Sequence, residues 1–370
     1  MISISLCMIV KNEEAVLERC LSSVKEAVDE IIVVDTGSGD RTKTIAEQHG
    51  AHVYDFEWID DFAAARNTAF AKATSTYILW LDADDVLEAD DLAKLQSLKR
   101  TLDPSVDSVT MRYDLSHDEF GNVTFSLRRN RLVKRSRGFR WIGAVHEYLE
   151  VGGHIINSDI AVKHRSAGKE KDPGRNLKIY ERRLVKGDAL TPRDQYYYAN
   201  ELKDHGRHSE AISYYDRFIG GGAGWIEDVI SACGKLADCY HALGDRQAEL
   251  EASLRALQYG APRAEFCCRI GYAFMQRKDY EAASVWYRLA TTLVPPAEHL
   301  GFHNPACHTW LPRLQLAVCL DRLGRIAEAS VWNEQALSYR PEDAAMLGNR
   351  TYFLKRLQEE EAAAASGGQS

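Results

Sequence analysis

The stretch YILWLDADD, residues 77–85, is an apolar run that ends in three carboxylates, Asp82, Asp84 and Asp85. Crowded carboxylates repel one another, and protonation, solvent or a cation must relieve that repulsion. Residues 77–81 read as a strand buried on both faces. The carboxylates then lie at the carboxyl end of a sheet, where open α/β folds bind ligands. Hard oxygen ligands at alternate positions suit Mg²⁺ or Mn²⁺ held partly by the protein and partly by substrate phosphates. The plainer alternative is a solvated acidic turn opening a helix near Val86, since Asp favours helix N-termini.

A second candidate is VVDTGSGDRT, residues 33–42, which sets Asp35 at the end of an apolar run and before a Gly-Ser-Gly turn. Asp35 can accept hydrogen bonds from a nucleotide base or ribose, with Thr36 to Asp40 wrapped around the ligand. An ordinary loop capped by Ser38 or Asp40 is the alternative. The run RRNRLVKRSRGFR, residues 128–140, holds seven cations and no acid. It can neutralise phosphates or attract a polyanionic acceptor, or form a solvated strand face.

The elements that must position these residues fall into two halves. Up to about residue 165, short apolar runs alternate with helical patterns, which predicts a largely parallel sheet covered by helices. Strands are expected at 4–10, 30–35, 51–55, 77–81, 108–113 and 160–163, with an antiparallel pair around Gly121-Asn122. Helices are expected at 13–28, 40–49, 62–73 and 87–101. After about residue 190 the strand pattern gives way to recurring helix pairs with small residues, polar turns and aromatics at i, i+4 spacing. Such a stack buries a continuous core and leaves a concave groove. Tyr196, Tyr197 and Tyr198, and His303, Asn304, His308 and Trp310 of the insert between the last two pairs, are candidates to line it. Helix packing is the alternative for the tyrosines. The expected domains are 1–168, a polar link at 169–192, helical repeats at 193–340, and a terminal helix with a disordered tail at 341–370.

Composition narrows the functions. The chain has 370 residues, 45% of them hydrophobic, enough for two full cores. A net charge of −8 disfavours a general nucleic-acid binder, which must neutralise many phosphates. Eight cysteines without a Cys-x-x-Cys pair fit a reduced, cytoplasmic protein. The N-terminal apolar run lacks a cationic leader and reads as a first strand, and no stretch approaches a membrane span.

Four motifs in order, SLCMIVKNEE at 5–14, VVDTGSGDRT at 33–42, DDFAAARN at 60–67 and LWLDADD at 79–85, resemble glycosyltransferase family 2. That family comprises inverting nucleotide-sugar enzymes with the glycosyltransferase A fold. The resemblance covers roughly residues 1–165, and the helix pairs resemble the tetratricopeptide repeats of some bacterial and phage members, including peptide S-glycosyltransferases. It implies an α/β fold: a nucleotide-sugar-binding mixed sheet followed by an all-α helical-repeat domain. Position by position, it implies that Asp35 holds the donor base, usually uracil, beside Thr36 in the donor-binding loop, and that Arg66 is a cation near the nucleotide. Asp84 becomes the direct metal ligand, and Asp82 a ribose or metal partner. His164 falls where related members carry a late metal-binding histidine. They follow it with an aromatic residue, whereas Arg165-Ser166-Ala167-Gly168 follows here.

Inversion by single displacement needs a proton acceptor opposite the leaving group. FRWIGAVHEYL, residues 139–149, offers Glu147, with His146 as the base itself, a phosphate contact or an orienting partner. Another carboxylate such as Asp114, or a purely structural pair, stays open. The expected activity is metal-dependent transfer of a hexose from a UDP-sugar, with Mn²⁺ or Mg²⁺, to a peptide or protein side chain held partly by the repeats. A surface glycan or a modified phage DNA base is an alternative acceptor. A nucleotidyltransferase would carry a Gly-rich loop where Lys11-Asn12-Glu13-Glu14 stands, and a non-catalytic repeat adaptor is the remaining alternative.

Overall fold

A computed structural model describes residues 1–117, 123–166, 172–294 and 304–367, which fall into two compact units, Met1–Asp188 and Ala189–Ser370. In the first unit the elements are β1 (Ile4–Val10), α1 (Leu17–Val24), β2 (Glu30–Asp35), α2 (Thr42–Gln48), β3 (His52–Asp55), α3 (Phe62–Lys72), β4 (Tyr77–Trp80), β5 (Asp85–Val86) and α4 (Ala89–Thr101). There follow β6 (Ser108–His117), β7 (Val123–Lys134), β8 (Arg140–Ile142), β9 (Tyr148–Glu150), β10 (Ile155–His164) and α5 (Arg175–Val185).

One eight-stranded sheet has the order β3-β2-β1-β4-β7-β6-β10-β5, and β8 pairs with β9 in a separate hairpin. β3, β2, β1 and β4 are parallel; β2, β1 and β4 are apolar runs covered on both faces, whereas the edge strand β3 is partly exposed. Leu6, Met8, Val33 and Leu79 enter one core, while Cys7, Ile32, Val34, Ile78 and Trp80 enter the other. The chain runs outward from β1 through β2 and β3, then returns to β4 on the other side of β1. That reversal opens a crevice at the carboxyl ends of β1 and β4.

Several expectations change at the element boundaries. The helix expected at 87–101 forms as α4 but starts at Ala89, and Asp85–Val86 before it make the short strand β5, antiparallel to β10, with Asp85 opposite His164. β10 is longer than residues 160–163, and the antiparallel pair is β6 with β7, whose turn at Gly121-Asn122 lies outside the described residues. The 169–192 stretch is more than a polar link: α5 lies within it and buries Leu177, Ile179 and Tyr180. The last helix, Ala344–Gly367, also extends into residues expected to be disordered.

The second unit contains helix pairs α6 (Pro192–Asp204) with α7 (His208–Gly220), α8 (Ile226–Ala242) with α9 (Arg246–Arg255), and α10 (Ala264–Gln276) with α11 (Tyr280–Thr292). A short α12 (Pro305–His308) precedes the pair α13 (Trp310–Arg322) and α14 (Ile326–Leu337), and α15 (Ala344–Gly367) packs on α14. Each pair turns on one left-handed residue: Gly206 at φ +74°, Gly244 at +79°, Lys278 at +61° and Gly324 at +74°. Seven residues before each stands a buried small residue, Ala199, Ala237, Gly271 or Ala317, which lets the partner helix approach. Tyr196 and Tyr198 are core residues, so the groove role considered for them gives way to packing.

His303 lies outside the described residues. The described part of the insert serves packing: Asn304 caps α12, His308 lies against the Leu293 carbonyl and Glu265, and Trp310 lies under Arg340. No helix among the described residues is long and apolar enough to cross a membrane.

Lys278 is the exception among the turns. A non-glycine residue in this conformation costs roughly 1–2 kcal/mol, and glycine's extra freedom in the unfolded chain returns about 0.4–1 kcal/mol of that. Lys278→Gly is therefore expected to stabilise the second unit by up to about 1 kcal/mol, measured by urea denaturation.

Candidate active site

Asp35 ends β2 and is 1% exposed. Its Oδ2 accepts the backbone N–H groups of Gly37 at 3.0 Å and Ser38 at 2.9 Å, with Lys43 Nζ at 3.8 Å. Gly37 has φ +99°, which a side chain would strain. Asp35 Oδ1 is buried without a hydrogen-bond partner. Leaving a buried acceptor unpaired costs roughly 1–3 kcal/mol, so a ligand N–H placed there has a ready partner. Thr36, expected as a donor contact, instead gives its hydroxyl to the Val10 carbonyl at 3.0 Å and locks the loop to β1.

The first two motifs occur together because their loops clasp. Asn12 N–H donates to Ser38 Oγ at 2.8 Å, Gly39 N–H to Asn12 Oδ1 at 2.8 Å, and Glu13 N–H to Thr42 Oγ1 at 2.7 Å.

The acidic turn closes on itself. Asp82 N–H donates to Asp85 Oδ2 at 2.9 Å, and Asp85 N–H to the Asp82 carbonyl at 3.0 Å. Asp85 points inward to an ion pair with Arg131 at 2.9 Å, both side chains fully buried. The Arg131 guanidinium also donates to the Trp80 carbonyl at 3.2 Å and lies 3.9 Å from the Trp80 ring centroid and 4.5 Å from that of Tyr113. One member of the basic run is thus a buried counter-ion, neither solvated nor on a phosphate. Burial, with the Asp82 carboxylate adding to it, pushes the Asp85 carboxyl up to about 6 against the pull of Arg131. Burial would raise Asp82 as well, but the Arg66 and Arg131 guanidiniums outweigh it and hold that carboxyl at about 2.

With Asp85 turned in, Asp84 faces the end of β10. Its Oδ1 is 3.4 Å from His164 Nδ1, and the Tyr113 hydroxyl is 3.3 Å from the same nitrogen. Asp84, Asp85 and His164 present ligand atoms within 4.8 Å of one another. Carboxylate oxygens with one imidazole suit Mn²⁺ or Mg²⁺ completed by phosphate and water. Asp82, expected to share this group, lies outside it and pairs with Arg66.

The third motif, DDFAAARN, builds the far wall. Asp61 caps α3 by accepting Ala64 N–H at 2.8 Å. Buried Ala63, Ala65 and Ala69 bring the helix close to the sheet. Asn67 clamps β8 through both polar groups, donating to the Trp141 carbonyl and accepting its N–H, each at 2.9 Å. Phe62 N–H reaches the Ala144 carbonyl at 2.9 Å, tying down the loop between β8 and β9. Within that loop Gly143 has φ +100° and His146 φ +51°; the latter is strained for a non-glycine residue.

Glu147 follows. Its Oε1 accepts from Arg66 Nε at 2.7 Å, while Arg66 Nη2 donates to Asp82 Oδ1 at 2.7 Å. Arg66 is 9% exposed and lies 5.1 Å from the Trp80 ring and 4.7 Å from the Trp141 ring.

Asp82, Arg66 and Glu147 form one chain of ion pairs, and Asp84 with His164 forms a second group anchored by the Asp82–Asp85 turn. Asp35 ends the neighbouring parallel strand. Asp114 is buried in bonds to Ser126 and Arg112. Sequence reasoning missed Arg131, Asn67 and Trp141. The motif DDFAAARN held the signal for Asn67, whereas Arg131, in Arg-Arg-Asn-Arg-Leu-Val, is not set apart from the other cations of the basic run by its neighbours.

The glycosyl transferase family 2 profile matches residues 5–160, and a tetratricopeptide repeat profile matches residues 264–295, the α10–α11 pair. A TPR repeat-containing protein of Synechococcus elongatus is 43% identical over 151 residues, 40% of this chain and 36% of that protein. The SPbeta prophage-derived glycosyltransferase SunS of Bacillus subtilis is 28% identical over 224 residues, 57% of this chain and 52% of that protein. A crystallised tetratricopeptide repeat protein of Parabacteroides merdae aligns with TM-score 0.39 at 16% identity, over 52% of this chain and 70% of that one. The matches thus cover 36% and 52% of the length of these two curated relatives. Residues 5–160 are a glycosyl transferase family 2 domain, and a tetratricopeptide repeat lies among the helix pairs that follow it.

Proposed function

We propose that the chain is an inverting, metal-dependent glycosyltransferase that moves a hexose from a UDP-sugar to a peptide or protein side chain. The observation that carries this is the single guanidinium joining Asp82, in the acidic turn, to Glu147, in a loop 65 positions later. It sets a proton acceptor beside the carboxylates that would face a donor, which is the pairing that single displacement requires.

In this reading Asp35 receives the N–H of the base on its unpaired Oδ1. Asp84 and His164 would hold a divalent ion, which stabilises charge building on the departing diphosphate. Asp85 and Arg131 keep the turn in shape, and Asp82 orients toward the ribose while paired with Arg66. Glu147 takes the acceptor proton as the acceptor atom attacks. Helical repeats commonly present an extended groove, and this supports a peptide acceptor. Eight free, buried thiols fit a reducing compartment.

The test is transfer from a panel of radiolabelled nucleotide sugars, with Mn²⁺ or Mg²⁺, to peptide acceptors. UDP release and acceptor labelling are expected with one UDP-sugar. Equal use of GDP- and CDP-sugars, or retention of configuration in the product, would sink the reading.

A further inference from the structure

Arg66 was expected to be a cation for the nucleotide. Its surroundings give it different work. The guanidinium is almost fully buried, lies against two indole rings, and has Nε and Nη2 already committed to Glu147 and Asp82 at 2.7 Å each. A phosphate-binding arginine needs exposed donors along an open edge. Here the edge formed by Nε and Nη2 faces two carboxylates of the protein itself.

We propose that Arg66 is a positioning residue that aims Glu147, and that it does not read the donor phosphates. The proposal rests on the glycosyltransferase reading above. Oε1 of Glu147 is held by Arg66, so Oε2 takes the proton. In the step itself, the acceptor O–H or S–H gives its proton to Oε2 as its heavy atom bonds to the anomeric carbon. The bond from that carbon to the diphosphate oxygen breaks, and the electron pair leaves with UDP.

Two carboxylates sharing one guanidinium leave the trio with a net negative charge. The indole rings fix the guanidinium plane, and Asn67, next to Arg66 on α3, holds the Trp141 backbone. The aim of Glu147 is thus built into a rigid helix and not left to the loop that carries it.

The experiment is a double-mutant cycle of Arg66→Gln and Glu147→Gln, with Arg66→Lys as a third variant. Readouts are kcat and KM for the UDP-sugar and the Kd of UDP by calorimetry, with near-UV circular dichroism to confirm folding. Arg66→Gln is expected to lower kcat about 10²-fold, at the lower end of general-base effects, while the Kd of UDP changes less than about threefold. Arg66→Lys, a point charge without the planar fork, is expected to recover little of kcat. It also serves as the folded comparison if Arg66→Gln leaves two carboxylates too poorly paired to fold.

In the Glu147→Gln background, loss of Arg66 is expected to lower kcat by less than about threefold, because residues acting as a unit are not additive. Additive losses, or a UDP Kd raised tenfold with kcat intact, overturn the proposal while the wild type remains an active transferase. A wild type that neither binds UDP nor releases it from any donor overturns the reading beneath, and the proposal with it.

Discussion

Arg131→Met is expected to destabilise the first unit by about 3–5 kcal/mol, the range for removing one partner of a buried ion pair. Arg131 and Asp85 are both fully buried and 2.9 Å apart, so the substitution leaves a carboxylate with neither solvent nor counter-charge. It also removes a guanidinium packed against Trp80 and Tyr113. Set against a typical domain stability of about 5–15 kcal/mol, the loss is large. Urea denaturation of the full chain, followed by tryptophan fluorescence, measures it.

The double variant Asp85→Leu with Arg131→Met separates charge from packing. Replacing both partners by apolar side chains of similar size is often neutral, so the double variant is expected to be more stable than Arg131→Met alone. Transfer activity should nevertheless stay lost, because Asp85 Oδ2 also accepts Asp82 N–H and so shapes the turn. A double variant no more stable than the single one would show that the pair is held by something other than its charge.

Asp84→Ala is expected to reduce transfer about 10³-fold while leaving stability nearly unchanged. A metal ion acting as Lewis acid supplies several kcal/mol of transition-state stabilisation, and each 1.36 kcal/mol is about tenfold in rate. Unlike Asp85, whose side chain is fully buried against Arg131, the Asp84 side chain is 19% exposed, so solvent can replace its contacts when it is removed. UDP release over a Mn²⁺ titration checks the effect. Chelation should abolish wild-type transfer and added Mn²⁺ restore it, whereas the variant should respond weakly to either. Full turnover by Asp84→Ala would remove the metal from the proposed reaction.

Much of the first unit is legible in the chain itself. The apolar runs of β1, β2 and β4, alternating with helical patterns, read as parallel strands buried on both faces, which puts Asp35 and the acidic turn at the carboxyl ends of strands that flank β1. The repeating small residues and the Gly or polar turns likewise announce the helix pairs in the chain itself. Element ends were less legible. The helix expected from residue 87 starts at Ala89, after β5, because β10 offers residues 85–86 a partner, and no local pattern near Val86 records Lys163, 77 positions away.

By itself the sequence determined the order of the elements and the candidate carboxylates, since hydrophobic period and residue chemistry are properties of short segments, and the family resemblance of its motifs pointed to His164. Only the tertiary structure decided how the charges are shared. It turned Asp85 inward to Arg131, gave Asp82 to Arg66, set Glu147 on that same guanidinium, and left Asp84 facing His164. The physical reason is that an ion pair depends on distance and burial. The partners here come from separate strands, a helix and a hairpin loop, so their pairing exists only once the sheet has brought those elements together.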